Sequence, residues 1–336
     1  MSKRILYAGS FPPPYGGVTI KNALIVSILS NHFRVMNCKK KNGFLFMLSV
    51  FLKSFFCSSF VFGVGSNQKL IKILKIFNFL HPFKIKKSVV VVMGGTFAAS
   101  IEHEKATLRL LKKIRGVLVE TEQMRQKLNQ MSLDNVYLFP NCRKKPTYNL
   151  NKRINNPIRC IYYSKISKEK GADIVLKIAS DYPNLSFDFW GPIDDSYEYE
   201  FLSYISEKTN CHYNGIYLNK DGQLYSFLNN YDLLIFPSTW KHEGVSGALV
   251  EAKIAGVPAI VSNWNYNSSV VIDGVDGLVV KSNDEKGFKE AMDSIINNAL
   301  LLAKMKENAI SNGRNYYIET YEKLFLKLLE EQNERN

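Results

Sequence analysis

Acidic side chains are missing from the first hundred positions, where 14 lysines and arginines stand without one aspartate or glutamate. That stretch cannot neutralise itself with its own acids. The imbalance is also confined to one half: residues 1–150 carry a net charge of +19 and the remainder −5, giving +14 overall. A field so divided points to an anionic partner for the N-terminal half. Cysteine is scarce too. Cys38, Cys57, Cys142, Cys160 and Cys211 are odd in number, scattered, and form no C-x-x-C pair. This argues against a disulfide framework or a zinc site and for a reducing compartment. No G-x-G-x-x-G occurs after the first apolar run, so a dinucleotide fingerprint lacks support. A secretory leader is not expected, since the apolar run after Lys3-Arg4 is only about five residues long. Repeats and low-complexity tracts are absent.

What is present suits a globular α/β protein. The 336 residues suffice for two domains, with 46% apolar and 22% charged side chains. Arg4 to Ala8 reads as a strand, running through a loop with Gly9, three prolines and Gly16-Gly17 into a helical pattern from Val18 to Ser30. Further buried strands are expected at Phe60–Val64, Ser88–Met93 and Val117–Glu120, with Thr121 capping a helix through Leu128. The polar run Arg143–Pro157 is the natural linker. Beyond it, strands are expected at Ile158–Tyr163 and Leu185–Trp190, and Asn210–Gly215 leads to another ending near Ile216-Tyr217. Leu224–Leu228 reads as a helix and Tyr316–Leu329 as a final one.

The most informative stretch runs from Tyr231 to Val280. Tyr231–Ser238 is an apolar run of strand length, and a polar loop ends in Glu243-Gly244-Val245-Ser246-Gly247. Helical spacing starts at Ala248, stops at Gly256, and is followed by a strand from Pro258 to Ser262. Free amides at such a helix start, beside two glycines, form an anion site. Two glutamates, Glu243 and Glu251, flank the turn; chance surface carboxylates are the plain alternative. Asp273–Gly277 signals a tight turn before a strand at Leu278–Val280.

Glu243, seven residues, Glu251 and then an A-G-x-P-x-I strand resemble the signature of retaining glycosyltransferases of family 4, in group 1, which have the GT-B fold. The resemblance implies two Rossmann-like parallel-sheet domains facing a central cleft. It assigns Glu243 to the donor sugar, Glu251 to the ribose hydroxyls of the nucleotide, and the amides of Gly244, Val245, Ser246 and Gly247 to the sugar and diphosphate. A carboxylate suits a ribose diol because it accepts two hydroxyl hydrogen bonds. The loop Ser164–Gly171 resembles the family's Gly-Arg…Lys-Gly loop, with Lys165 in place of Arg, Ser164 in place of Gly, and Lys170-Gly171 matching. The implied role of Lys170 and Lys165 is to grip the diphosphate as it leaves, although lysine lacks the bidentate geometry of arginine; a solvated basic loop is the alternative. Gly16 and Gly17 correspond to a Gly-Gly loop against the donor, or form a plain turn. Tyr217 lies where the family places the nucleotide base. Two departures are visible: Met93 stands where a histidine is common, and Ser269 where an acid is usual.

The N-terminal half carries a second theme. Residues 44–64 could be read as one membrane-crossing helix, but Lys53 would sit near its centre and Cys57-Ser58-Ser59 divides the run into a helix and a strand. In residues 68–83, Lys69, Lys72 and Lys75 alternate with Leu70, Ile73, Leu74, Phe77 and Leu80, as in a core-packed amphipathic helix or a membrane-facing basic one. Exposed apolar matter is expected in both Phe44–Phe56 and Leu70–Leu80.

The expected organisation is a membrane- and acceptor-facing domain over 1–150, a donor-binding domain over 151–315, and a helix over 316–336 packing back on the first. The expected activity is retaining transfer of a hexose-type sugar from a nucleotide-sugar to a glycan acceptor, lipid-linked, in surface polysaccharide or lipopolysaccharide synthesis. No cofactor or metal is expected, since no Asp-x-Asp motif occurs. The partners would be the nucleotide-sugar, the acceptor and an anionic membrane, and the location the cytoplasmic face of that membrane. Nucleic acid is not expected as a partner, because the basic half shows no recognition module. A GT-B nucleotide-sugar epimerase and a basic nucleic-acid-binding protein are the rival readings.

Overall fold

A computed structural model describes residues 3–13, 16–39, 43–219 and 222–330. Pro14 and Tyr15 of the first loop, and Lys40 and Lys41 of the basic run, lie outside the described residues. The chain divides into two compact units, one formed by Met1–Lys144 with Tyr317–Asn336 and the other by Lys145–Tyr316.

The first unit alternates strands and helices. In order they are β1 (Arg4–Gly9), α1 (Gly17–Leu29), β2 (Arg34–Lys39), α2 (Gly43–Ser54), β3 (Ser59–Gly63) and α3 (Asn67–Leu80). Then come β4 (Ser88–Val91), α4 (Phe97–Ile101), α5 (Lys105–Leu111), β5 (Gly116–Val119), α6 (Glu122–Gln130) and β6 (Val136–Leu138). The sheet order is β2-β1-β3-β4-β5-β6, and every pairing is parallel. Central strands covered on both faces need unbroken apolar runs, which Ile5–Ala8, Phe60–Phe62 and Val89–Val91 supply. Thr121 caps α6 by accepting from the Met124 amide at 3.2 Å.

The apolar run 44–64 is two elements. Ser58 breaks it, since both its amide and its hydroxyl donate to Arg4 O, which starts the pairing of β3 with β1. No helix among the described residues is long and apolar enough to cross a membrane. α3 decides between its two readings. Leu70, Ile73, Leu74 and Phe77 are buried while Lys69, Lys72 and Lys75 are exposed, so its body is a core-packed amphipathic helix. Its exposed apolar groups are confined to Phe79 and Leu80 at the end.

The second unit begins with β7 (Arg159–Tyr163), α7 (Ala172–Asp181), β8 (Ser186–Trp190), α8 (Glu198–Ser206), β9 (Cys211–Tyr213) and α9 (Leu224–Leu228). It continues with β10 (Leu233–Phe236), α10 (Gly247–Ile254), β11 (Ala259–Ser262), α11 (Asn267–Val270), β12 (Gly277–Val280), α12 (Glu285–Ile296) and α13 (Ala299–Gly313). The order is β12-β11-β10-β7-β8-β9, again all parallel. The strand expected to end near Ile216-Tyr217 stops at Tyr213, and residues 214–219 are irregular. A buried pair staples this unit. Asp232 accepts from Lys306 Nζ of α13 at 3.2 Å, from the Arg159 amide at 2.9 Å and from the Asn155 amide at 3.1 Å.

The helix expected over Tyr316–Leu329 is broken. Tyr317 bridges to Arg143, with the Ile318 amide donating to Arg143 O at 2.8 Å, and this diverts the backbone into short 3-10 turns before α14 (Glu322–Glu330). Phe325, Leu328 and Leu329 of α14 enter the core of the first unit beside Ile5, Leu118 and Phe139. Lys3 Nζ donates to Leu329 O at 2.6 Å and Arg115 Nη1 to Leu328 O at 2.9 Å, so two cations cap the negative end of that helix.

Candidate active site

β7 and β10 are neighbours in the second sheet, and the loops leaving their carboxyl ends meet. Parallel sheets bind ligands at this edge. The loop after β7, Ser164–Gly171, is held from beneath by Tyr162, whose buried hydroxyl faces Lys165 O at 2.8 Å and Lys170 O at 3.3 Å. Gly171 closes it with φ +76°, and a Cβ there would stand 2.5 Å from Pro237 Cγ and 2.7 Å from Pro237 O. Only glycine permits both that backbone and that approach. The Thr239 amide, donating to Glu169 O at 2.9 Å, binds the two loops together again.

This packing brings Lys170 to Glu243. The ammonium lies 2.5 Å from Glu243 Oε2, with the two side chains 12% and 8% exposed, and 4.4 Å from the centre of the Trp240 ring. Ser238 Oγ donates to the same carboxylate oxygen at 2.8 Å. The Glu243 loop is also clamped from the segment after β11. Trp264 Nε1 donates to Trp240 O at 2.9 Å and Asn265 Nδ2 to Glu243 O at 3.1 Å. Asn265 occupies the left-handed region at φ +47°, which asparagine tolerates. Below them Ser262 Oγ donates to Ser238 O, and Asn267 Nδ2 to Ser262 O at 3.1 Å.

Gly244 and Val245 lead to Ser246, the extended N-cap of α10, and Gly247 is its first helical residue. Ser246 makes no side-chain cap, and the first turn contains no acid. The first amides of a helix have no intrahelical acceptors, so this end offers donors and positive potential. Glu251 is buried one turn inside the same helix.

The remaining expected site residues are placed elsewhere. Lys165 is exposed and paired with Asp194 at 2.5 Å. The hydrogen bond to Asp194 raises the Lys165 pKa, and the same bond holds the Asp194 carboxyl down at about 2. Tyr217 lies flat on Phe227, with centroids 3.9 Å apart, and Trp190 meets Phe227 edge-on at 4.9 Å. Gly16 and Gly17 are exposed at the start of α1 in the first unit, and a Cβ on either would meet nothing within 4 Å. Met93, in the place of the histidine common to the resembled family, is buried just beyond β4. Sequence reasoning missed Ser238, Trp240, Trp264 and Asn265. The Pro-Ser end of β10 was the one local signal, because the contacts of Trp240, Trp264 and Asn265 join the loops of different strands. Among the described residues no group of three or more His, Cys, Asp or Glu could hold a metal ion.

Residues 148–315, half of the chain, match the family described as "Glycosyl transferases group 1". An uncharacterized 41.2 kDa protein in the cps region of Klebsiella pneumoniae is 31% identical over 169 residues, 49% of this chain and 44% of that protein. The UDP-Gal:alpha-D-GlcNAc-diphosphoundecaprenol alpha-1,3-galactosyltransferase of Escherichia coli is 36% identical over 86 residues, 25% of this chain and 22% of that one. The chain thus spans less than half the length of these curated relatives. The crystal structure of HepE from Anabaena, in complex with UDP and glucose, matches with a TM-score of 0.70 and 14% identity over 98% of this chain and 99% of that one. This likeness is one of fold, and the fold is GT-B.

Proposed function

The chain belongs to the group 1 glycosyltransferases, and from that premise we propose that it transfers a hexose-type sugar from a nucleotide-sugar to a glycan acceptor with retention at the anomeric carbon. The observation that carries the reading is the Lys170–Glu243 pair at the carboxyl edge of the second sheet, beside the start of α10. Without a donor, the Glu243 carboxylate occupies the ammonium. A donor diphosphate is a stronger anion and takes that place, leaving Glu243, still held by Ser238, to accept from the sugar hydroxyls. Glu251 takes the ribose diol, and the amides of Gly244 to Gly247 face the phosphate. Tyr217, with Phe227 and Trp190 behind it, gives an apolar platform for the base.

As the anomeric carbon–oxygen bond breaks, the electron pair passes to the diphosphate, where Lys170 and the α10 amides stabilise the growing charge. Lys165 adds its charge once the diphosphate competes with Asp194. The acceptor hydroxyl then bonds to the anomeric carbon on the same face and gives its proton to the departing phosphate oxygen. The step uses no covalent nucleophile and no metal.

The name of the Escherichia coli relative specifies a UDP-galactose donor and a diphosphoundecaprenol-linked acceptor. It supports a UDP-sugar donor and a lipid-linked acceptor here; the proposed location is the cytoplasmic face of a membrane and the proposed process surface polysaccharide synthesis. The basic first half favours the same kind of surface. The test is transfer from UDP-, GDP- and ADP-sugars, preceded by a thermal-shift screen, because a bound donor raises stability by mass action. Glu251→Gln should weaken nucleotide binding by about 1.5–3 kcal/mol, whereas Glu243→Gln should impair turnover more than affinity. Activity should survive EDTA. Unchanged affinity and turnover in both variants, or loss with EDTA and recovery with manganese, would reject the site.

A further inference from the structure

α2 is apolar nearly all round, yet buries only a narrow stripe of Phe46, Val50 and Ser54, spaced four residues apart. Its other side displays Phe44, 76% exposed, with Leu45, Leu48 and Leu52, and the chain beyond adds Phe55 and Phe56. This strip does not stop at the helix. Phe55 and Phe51 both meet His81, at 5.2 and 5.4 Å between ring centres, which joins them to the end of α3. There Phe79 and Phe83 project, each 83% exposed. An apolar strip of this extent on a protein surface marks an interaction site.

The charge around the strip identifies the occupant. Lys84 Nζ stands 5.2 Å from the Phe55 ring and donates to Ser54 O at 2.7 Å. Lys86 and Lys87 are exposed just beyond it, and Lys69 and Lys72 are exposed along α3. No carboxylate occurs in the chain before Glu102. A second copy would bring the same cations against these. Nucleic acid would satisfy the lysines but leave Phe44, Leu48 and Phe79 in water. An anionic bilayer answers both features at once: its headgroups meet the lysines and its acyl boundary receives the rings. With 12 residues α2 is about 18 Å long, too short for a hydrocarbon core of about 30 Å, so it lies in the surface plane.

We propose that the outward face of α2, continued by Phe55, Phe56, Phe79 and Phe83 and rimmed by Lys84, Lys86 and Lys87, docks the first unit onto an anionic lipid surface, with the apolar groups entering the headgroup boundary. The surface belongs to the first unit and the donor site to the second, and only its purpose, to bring the enzyme to a lipid-linked acceptor, rests on the proposed function.

Co-sedimentation with phosphatidylcholine vesicles, with and without phosphatidylglycerol, at low and high salt, tests it on the full chain. Wild type should bind only the anionic vesicles, and high salt should weaken binding without abolishing it. Lys86→Glu/Lys87→Glu should lower binding at least tenfold, since each surface lysine contributes about fivefold. Leu48→Ser/Leu52→Ser should remove the part that survives high salt. Both pairs are exposed or solvent-facing, and the thermal midpoint of each variant, with and without UDP, checks its fold. Binding indifferent to lipid charge and to both variants would overturn the proposal. So would a dimer broken by Leu48→Glu, or salt-sensitive binding to nucleic acid, if vesicles are not bound. A UDP-induced thermal shift without vesicle binding rejects the docking surface and leaves the donor site standing; vesicle binding without any nucleotide response does the reverse.

Discussion

Both units are built on six parallel strands, in different orders, and they use their charge differently. In the second, cations are turned inward: Lys306 meets Asp232, Lys253 meets Asp276 at 2.6 Å, and Lys170 meets Glu243, all with largely buried side chains. Burial alone lowers the pKa of Lys253 and of Lys306, and the facing carboxylates oppose that shift. In the first unit Lys21 is buried against Glu120 at 2.8 Å, whereas Lys69, Lys72, Lys86 and Lys87 are exposed. A charge whose partner is in the fold organises a site. One without such a partner is available to whatever approaches from outside.

The largest expected effect tests the inward charges. Asp232→Ala strands Lys306 in the core and should cost about 3–5 kcal/mol, as breaking a buried pair does. The readout is specific, because Trp190, Trp240 and Trp264, the only tryptophans of the chain, all lie in the second unit. The urea midpoint followed by tryptophan emission should therefore fall. Glu120→Ala strands Lys21 in the first unit and should move the far-ultraviolet transition while sparing that emission. Identical shifts of both probes in both variants would show that the units unfold as one and break the contrast.

Next in size is the loss of a charge that has both a partner and a task. Lys170→Ala should lower turnover by about 10²–10³-fold, comparable to removing one donor from an oxyanion site. Lys170→Arg should recover part of it, because the charge remains. A variant as active as wild type would remove Lys170 from the chemistry and leave the pair a structural staple.

The smallest effect asks where the units are alike. Cys57 in the first and Cys211 in the second are both buried, and burial pushes each thiol up to about 11. The reactive thiolate is then scarce at pH 8, so alkylation by iodoacetamide should run about two orders of magnitude slower than at a free cysteine. The rate should climb with pH toward 11 at both positions. Fast labelling of one residue alone would show that its unit opens more readily than the other.

The second unit was the more legible in sequence, for a physical reason. Gly171, the Glu243–Gly247 turn and the A-G-x-P strand are local backbone requirements, and each is met within a few residues. Trp264 and Asn265 left little trace because their bonds reach the loop after another strand; Trp264 and Trp240 are 24 positions apart. β2 (RVMNCK), a mixed-polarity edge strand, carries no apolar run to announce it. In α2 the opposite holds: a helix apolar on every side gives no periodicity from which to choose the buried face. The break at Tyr317 depends on Arg143, far away in the chain, so the helical spacing of 316–329 misled.

The contribution of α14 to the first unit also has a consequence for synthesis. Phe325, Leu328 and Leu329 complete a core whose other members include Ile5, Val61 and Val89. On a ribosome adding about 5–20 residues per second, the unit begun first cannot be finished until the whole of Lys145–Tyr316 has emerged. Through that interval the second unit can close its own core, while the first waits with an apolar slot open where Phe325 will sit. Nascent chains should be most vulnerable to chaperone capture and proteolysis in that window, and the final helix acts as the latch that ends it.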